Sequence, residues 1–450
     1  MIRLLLGDLA ACLGCSTTSP EAVVETIVTD SRKVHHGTLF AALPGHNVDG
    51  HDFAPSAADL GATALLLSRP LDLQVPQLIV DDVLLALGKI AALLRSRLNP
   101  LVVGITGSNG KTTVKEMVAG ILRQEADVLA TRGNFNNELG VPLSLFELTG
   151  EHRFAVLEMG ASKAGDIAYL CGIARPDTGL ITNIGPAHLL GFGTEEGVAR
   201  AKGEIYSSLP AEGCAVINAD EPWSAMWREL NSAGRLLTFG STPGCDVQLV
   251  MNGPEPVLSV PGGEIRLRLA LPGRHNLVNA AAAAAVALAL DIAPPVIEKG
   301  LESVKPVPGR LNLIRTKSGW TVIDDTYNAN PASLYSALQV LKQMQGTPWL
   351  VLGDMKELGE GSRKMHREVG EAAKAMGVGR LFTTGELSAF TAEAFGEGAE
   401  HFENRDELAR ALCSQLRPGT TCLVKGSRSM GMEHVVNAIS NGQQHEEVIA

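Results

Sequence analysis

Aromatic side chains are scarce in this chain. Phe, Trp and Tyr together make up 4% of 450 residues. A surface that binds single-stranded nucleic acid by stacking bases needs more of them. Positive charge is also short: 38 Lys and Arg stand against 49 Asp and Glu, a net charge of −11. Such a chain repels a polyanion, so any anionic substrate must be met by cations and N–H groups placed locally. No apolar run is long enough to span a bilayer; the alanine-rich stretch after Asn279 comes nearest and is too short. The seven cysteines are odd in number and scattered. Cys12 and Cys15 form a single C-x-x-C with no second pair and no histidine cluster nearby, as in a protein whose thiols stay reduced. At the N-terminus Arg3 is the sole cation and Asp8 interrupts the apolar stretch. That is poor material for an export signal and fits a buried strand and helix, so a cytoplasmic protein is expected.

Hydrophobic residues are plentiful, at 45%. The length suits two to four domains with packed cores. From about residue 100 short β-branched runs alternate with amphipathic stretches, the pattern of an α/β protein around mainly parallel sheets. Three blocks are expected, over residues 1–82, 83–311 and 312–450. The first carries strand-like segments at 62–68 and 77–80. The second opens with a helix over 83–98 and a strand from Leu101. The third shows strand signals at 321–324, 349–353 and 421–425, each followed by a helical stretch, as in a compact doubly wound module.

The segment V-V-G-I-T-G-S-N-G-K-T-T, residues 102–113, joins a strand to a helix through a glycine loop. Gly107 and Gly110 let the backbone curl around phosphate, and the helix dipole favours an anion there. Ser108, Asn109 and Thr113 complete the loop. Lys111 is suited to the β- and γ-phosphates and the Thr112 hydroxyl to Mg²⁺. The usual pattern sets a glycine where this chain has Ile105; here it sits one residue earlier, at Gly104. The apolar strand 154–158 ends in Glu158, where an open α/β sheet places its ligands, which makes Glu158 a candidate metal ligand.

Other segments are less specific by themselves. The run 131–142 holds Asn134, Asn136 and Asn137, which serve equally as turn residues or as donors to a polar substrate. Read alone, His188 fits a structural role and Lys202 a surface lysine. His275 and Asn279 share a helix face, with Asn276 beside them. Asp324 and Asp325 end a strand, as a ribose site or as a solvated turn.

As an ordered set, these segments resemble one family. G-S-N-G-K-T-T, G-N-F-N-N-E-L-G-V-P, N-I-G-P-A-H-L-L-G-F-G, A-K-G-E-I, P-G-R-H-N-L-V-N-A, P-G-R-L, D-D-T-Y-N-A-N-P, G-D-M-K-E-L-G and K-G-S-R occur in register over nearly the whole chain. The series is similar to the Mur ligases of peptidoglycan synthesis. The Asp-Asn-Pro-Arg signature of the member that adds diaminopimelate is absent, and D-D-T-Y-N-A-N-P resembles the branch that adds D-alanyl-D-alanine.

The resemblance implies three domains: an N-terminal α/β domain for the UDP-sugar, a central ATP-binding domain and a C-terminal Rossmann-like domain. It implies ATP, two Mg²⁺ ions, UDP-N-acetylmuramoyl-tripeptide and D-alanyl-D-alanine. A monomer is expected. Lys111, Lys202, His188 and Arg310 would be catalytic. Thr112 and Glu158 would hold one metal ion, with His188 at a second and Lys202 carbamylated by CO₂ to orient it. Asn276 and Asn279 would meet adenine and ribose, Asp324 the ribose, and Arg310 the γ-phosphate. Ser31 and Arg32 would meet the UDP diphosphate. Asn134, Asn137, Tyr327 and Asn328 would line the substrate cleft. Asp354, Glu357, Lys425, Ser427 and Arg428 would receive the dipeptide. A related ligase, either another Mur member or a folate polyglutamate synthetase, and a nucleotide-dependent switch are the alternatives. The switch leaves the loops at 354–359 and 425–428 without a role.

Overall fold

A computed structural model describes residues 3–45, 48–185, 189–251 and 255–440. Three parallel or mainly parallel sheets follow one another along the chain. The first pairs Thr26–Val28, Thr38–Ala41, Ala64–Leu67 and Gln77–Ile79, all parallel. A short antiparallel pair, Leu4–Leu5 with Val23–Val24, precedes it and leads into the Leu6–Leu13 helix.

The central sheet has nine strands. Leu101–Thr106 lies inside it, between Phe154–Glu158 and Thr178–Ile181, with parallel neighbours on both sides. Burial on both faces explains why this strand reads as a continuous apolar run. Cys214–Asn218, Arg235–Gly240 and Val247–Val250 extend the sheet in parallel, and an antiparallel hairpin, Val257–Val260 with Gly263–Arg266, closes that edge. The alanine-rich helix Arg274–Ala289 is buried from Asn279 to Ala287 and packs against the phosphate-loop helix Lys111–Leu122. Alanine suits it, being a strong helix former that lets neighbours come close.

The third sheet has six strands where the sequence signalled three. Thr321–Asp325, Thr347–Gly353 and Thr420–Lys425 are the expected ones. Asn312–Arg315 adds one edge, antiparallel, and Arg380–Thr384 followed by Ala399–Phe402 extends the other side in parallel. Residues alternate across this sheet: Ile323, Leu350 and Leu423 pack into one core, and Val322, Val351 and Val424 into another.

The apolar cores divide the molecule unevenly. One core runs from Leu39 and Leu66 of the first sheet, through Leu87, Ile90 and Leu94 of the Val83–Leu98 helix, to Val102, Ala155 and Leu157 of the central sheet. Asp82 caps that helix by accepting from Leu85 N at 2.9 Å, and Asn99 ends it in the left-handed region. The C-terminal sheet has its two cores to itself.

Candidate active site

A cavity of about 1090 Å³ opens at the carboxyl ends of the central strands and reaches to the C-terminal domain. Ligands of open α/β sheets bind in this position. The phosphate loop forms its floor. Gly107 has φ +146°, and a Cβ there would stand 1.9 Å from Thr182 Oγ1. Gly110 has φ +80°, and its Cβ would stand 2.7 Å from Asn279 Oδ1. Both positions therefore demand glycine. Lys111 Nζ donates to Gly107 O at 2.7 Å. Ser108 and Asn109 depart from expectation. Their backbone N–H groups donate to Asn183 O and Asn183 Oδ1, each at 2.9 Å, and so are not free for phosphate. Anion binding is left to the first N–H groups of the Lys111–Leu122 helix, which have no intrahelical acceptor.

Behind the loop lies a polar network. The Thr112 hydroxyl donates to Glu158 Oε2 at 2.8 Å, Asn136 Nδ2 to Glu158 Oε1 at 2.8 Å, and Arg310 Nη2 to Thr112 Oγ1 at 2.9 Å. Glu158 N in turn donates to Thr131 Oγ1 at 3.0 Å, fixing the strand end. A hydroxyl and a carboxylate in contact are hard oxygen donors. They fit Mg²⁺, which takes few protein ligands and completes its shell with water and phosphate. Among the described residues no group of three His, Cys, Asp or Glu could hold a metal alone. His188 lies outside the described residues.

Lys202 is 2% exposed, lines the cavity and makes no hydrogen bond among the described residues. Burial pushes its pKa well below the ordinary lysine value; the Lys111 cation pushes the same way and Glu158 opposes them. Lys111 is lowered too, by burial first, with Glu158 opposing and Arg310 adding to the shift. Three basic side chains thus crowd one carboxylate, an arrangement that disfavours protonated Lys202 and that an incoming anion relieves.

At the other end, Asn276 Nδ2 donates to Pro272 O at 2.7 Å and Asn279 Nδ2 to Asn276 Oδ1 at 3.1 Å. Both asparagines line the cavity, with His275 beside them. His275 is pushed down to about 4, by burial and then by the Lys425 charge. Asp324 does not line the cavity. Its Oδ2 accepts from Gly309 N at 3.0 Å and its Oδ1 from the Thr326 hydroxyl at 2.6 Å, so both oxygens hold the hinge. Alternation along the strand turns Asp325 to the cavity instead, paired with Lys425. Burial raises the Asp325 pKa, and Lys425 opposes that. Arg310 lies over the Tyr327 ring, 4.2 Å from its centroid.

The structure gathers Asn134, Asn137, Tyr327, Asn328, Glu357, Lys425 and Arg428 around the same cavity. Lys425 Nζ is occupied there, donating to Asp325 and to Asn328 O at 2.9 Å. Two of the dipeptide candidates are placed elsewhere. Asp354 Oδ1 accepts from Leu387 N at 3.0 Å and Ser388 N at 2.8 Å, and Oδ2 from Lys356 Nζ at 2.9 Å; it caps the Ser388–Phe395 helix. Ser427 Oγ accepts from Lys356 N at 2.8 Å and steadies the same turn. Ser31 and Arg32 lie in a turn of the first domain, away from the cavity, where Asp30 takes the Arg32 guanidinium through two 2.9 Å bonds. Asn183, Asn330 and Tyr169 line the cavity without having been singled out as site residues. Asn183 sits inside a quoted motif, but only the folded loop shows that it buttresses the phosphate loop.

Three family profiles cover the chain: a Mur ligase family catalytic domain over residues 23–106, a Mur ligase middle domain over 105–287, and a Mur ligase glutamate ligase domain over 309–428. The chain belongs to the Mur ligase family. Within that family it is similar end to end to the D-alanyl-D-alanine-adding branch. It is 43% identical over 447 residues to UDP-N-acetylmuramoyl-tripeptide–D-alanyl-D-alanine ligase of Escherichia coli K12, covering 98% of this chain and 99% of that one. The crystal structure of MurF from Acinetobacter baumannii superimposes with a TM-score of 0.93 at 35% identity, covering 98% and 99%. MurF from Thermotoga maritima in complex with ADP does so with 0.83 at 32%, covering 92% and 97%.

Proposed function

We propose that this chain is an ATP-dependent amide ligase that joins D-alanyl-D-alanine to UDP-N-acetylmuramoyl-tripeptide in peptidoglycan precursor synthesis. The observation that carries this reading is the meeting, in one cavity, of a phosphate loop, the Thr112–Glu158 pair and the buried Lys202 with loops of a second domain. A kinase or switch needs the first two and has no use for the rest.

In this reading a carboxylate oxygen of the tripeptide terminus bonds to the γ-phosphorus of ATP, and the bond to the bridging oxygen breaks, releasing ADP. The dipeptide amine then attacks the acyl carbon, a C–N bond forms through a tetrahedral intermediate, and the C–O bond to phosphate breaks. Both first-step reactants are anions, so catalysis is positioning and charge neutralisation. Lys111 and the helix N-terminus orient the phosphates. Arg310, seated over the Tyr327 ring, presents its guanidinium to developing charge. Thr112 and Glu158 would hold Mg²⁺, with His188 at a second ion; bound metal would supply further neutralisation of the phosphate oxygens. Lys202, with its lowered pKa, is the lysine suited to carbamylation, because only the neutral amine adds CO₂.

Residues 1–82 would bind the UDP-sugar, 83–311 ATP, and 312–450 the dipeptide. We place the enzyme in the cytoplasm as a monomer; no described helix is long and apolar enough to cross a membrane. The test is phosphate release and amide formation by the purified protein. Both should require ATP, UDP-tripeptide and D-alanyl-D-alanine together. ATP consumption indifferent to the peptide reactants would sink the reading.

A further inference from the structure

Two asparagine side chains from different domains meet beside the phosphate loop. The Asn109 backbone is fastened on both sides: its N–H donates to Asn183 Oδ1 at 2.9 Å, and its carbonyl accepts from Thr182 Oγ1 at 2.6 Å and Asn183 Nδ2 at 3.0 Å. The side chain alone reaches outward, and its Oδ1 accepts from Asn330 Nδ2 at 2.8 Å. Asn330 is just as fixed. It is the N-cap of the Pro331–Gln343 helix, its Oδ1 accepting from Ser333 N at 2.9 Å, and its own N–H donates back to Ser333 Oγ at 3.1 Å. A proline follows at the first helical position. Gly185, which exchanges bonds of 3.0 and 3.2 Å with the Ser108 hydroxyl, flanks the contact.

We infer that Asn330 is a positioning residue. Its amide clamps the C-terminal domain to the phosphate loop, so that the amine carried by one domain is in register with the carboxylate activated on the other. This rests on the ligase reading above. A neutral hydrogen bond between two pre-set groups suits the task. It adds direction at little net stability, so it can be made in one domain arrangement and released in another. A misplacement of about an ångström between reacting groups is enough to slow transfer by orders of magnitude.

The test is a double-mutant cycle with Asn330→Ser and Asn109→Ala. Serine keeps a hydroxyl N-cap but cannot span the gap, so the helix survives. Alanine at 109 leaves the backbone fastening intact and tests the bond from the other side. Each variant should lower kcat for amide formation roughly tenfold with KM for ATP changed less than about twofold, and the double variant should fall no further. Wild-type kcat in either single variant, or losses that multiply in the double, would overturn the inference. Hydrogen exchange of residues 107–113 supplies a readout independent of turnover: N330S, though it alters the other domain, should speed exchange there, and unchanged exchange would overturn the clamp. Should the wild-type protein form no amide at all, the ligase reading fails and the exchange result still decides the clamp.

Discussion

Single residues carry the chemistry through their surroundings. Lys111→Ala should abolish turnover, by roughly a thousandfold or more in phosphate release, because the γ-phosphate loses both its charge partner and its position. Near-normal activity would refute the loop assignment. Lys202→Ala should lose activity and regain part of it with added formate or acetate, which can stand in for a carbamate; a fully active variant without additives would remove the carbamate from the scheme. His275 offers a test on stability rather than rate. Its folded pKa of about 4 lies below the ordinary 6.5, so the unfolded chain takes up the proton first as pH falls. Its contribution is fully present above about pH 6.5 and is lost progressively from there down to about pH 4. His275→Gln should flatten that part of the dependence, visible in urea midpoints at pH 7 and pH 4.5.

At the scale of elements, the acids at strand ends divide into those that meet ligand and those that hold the chain. Asp354 belongs to the second kind: Asp354→Ala should cost about 2–3 kcal/mol, since it orphans one buried and one half-buried N–H group at a helix start. Asp354→Asn should recover part of this, and activity per folded molecule should stay near wild type; urea unfolding beside specific activity would show it. Gly300 is the counterpart in packing. A Cβ there would lie 2.4 Å from Ile121 Cα, so Gly300→Ala should push the Pro294–Glu302 helix off the phosphate-loop helix at about 1–3 kcal/mol. The same division explains what the sequence disclosed. The Val83–Leu98 helix and the Leu101–Thr106 strand were legible from periodicity and continuous hydrophobicity. Arg380–Thr384 and Ala399–Phe402 were not: the first is an interior strand with only two apolar residues between an arginine and two threonines, and the second is a short, polar edge strand. Lys111 and Lys202 were legible as motif members, and Glu158 as the acid that ends an apolar strand. That Asp325 rather than Asp324 meets the cavity depends on which face of the strand is in, and that needs the fold.

For the whole molecule, the sharing of apolar cores points to closure by one end domain rather than both. The N-terminal sheet shares an apolar interior with the central sheet through Val83–Leu98, whereas the C-terminal domain meets the phosphate loop through the polar Asn109–Asn330 contact, with Thr112–Arg310 at the hinge. ATP analogue plus UDP-tripeptide should therefore shrink the radius of gyration by C-terminal movement about the Gly309–Arg310 hinge. Small-angle scattering that stays unchanged with both ligands would contradict it.

That uneven sharing of interiors has a consequence for how the polypeptide can be divided. Severed just ahead of Gly309, it should yield two pieces that fold separately and regain joint activity when mixed, the more so the higher their concentration. Severed near residue 82, it would tear a continuous greasy seam in two, and both pieces should clump rather than reassemble.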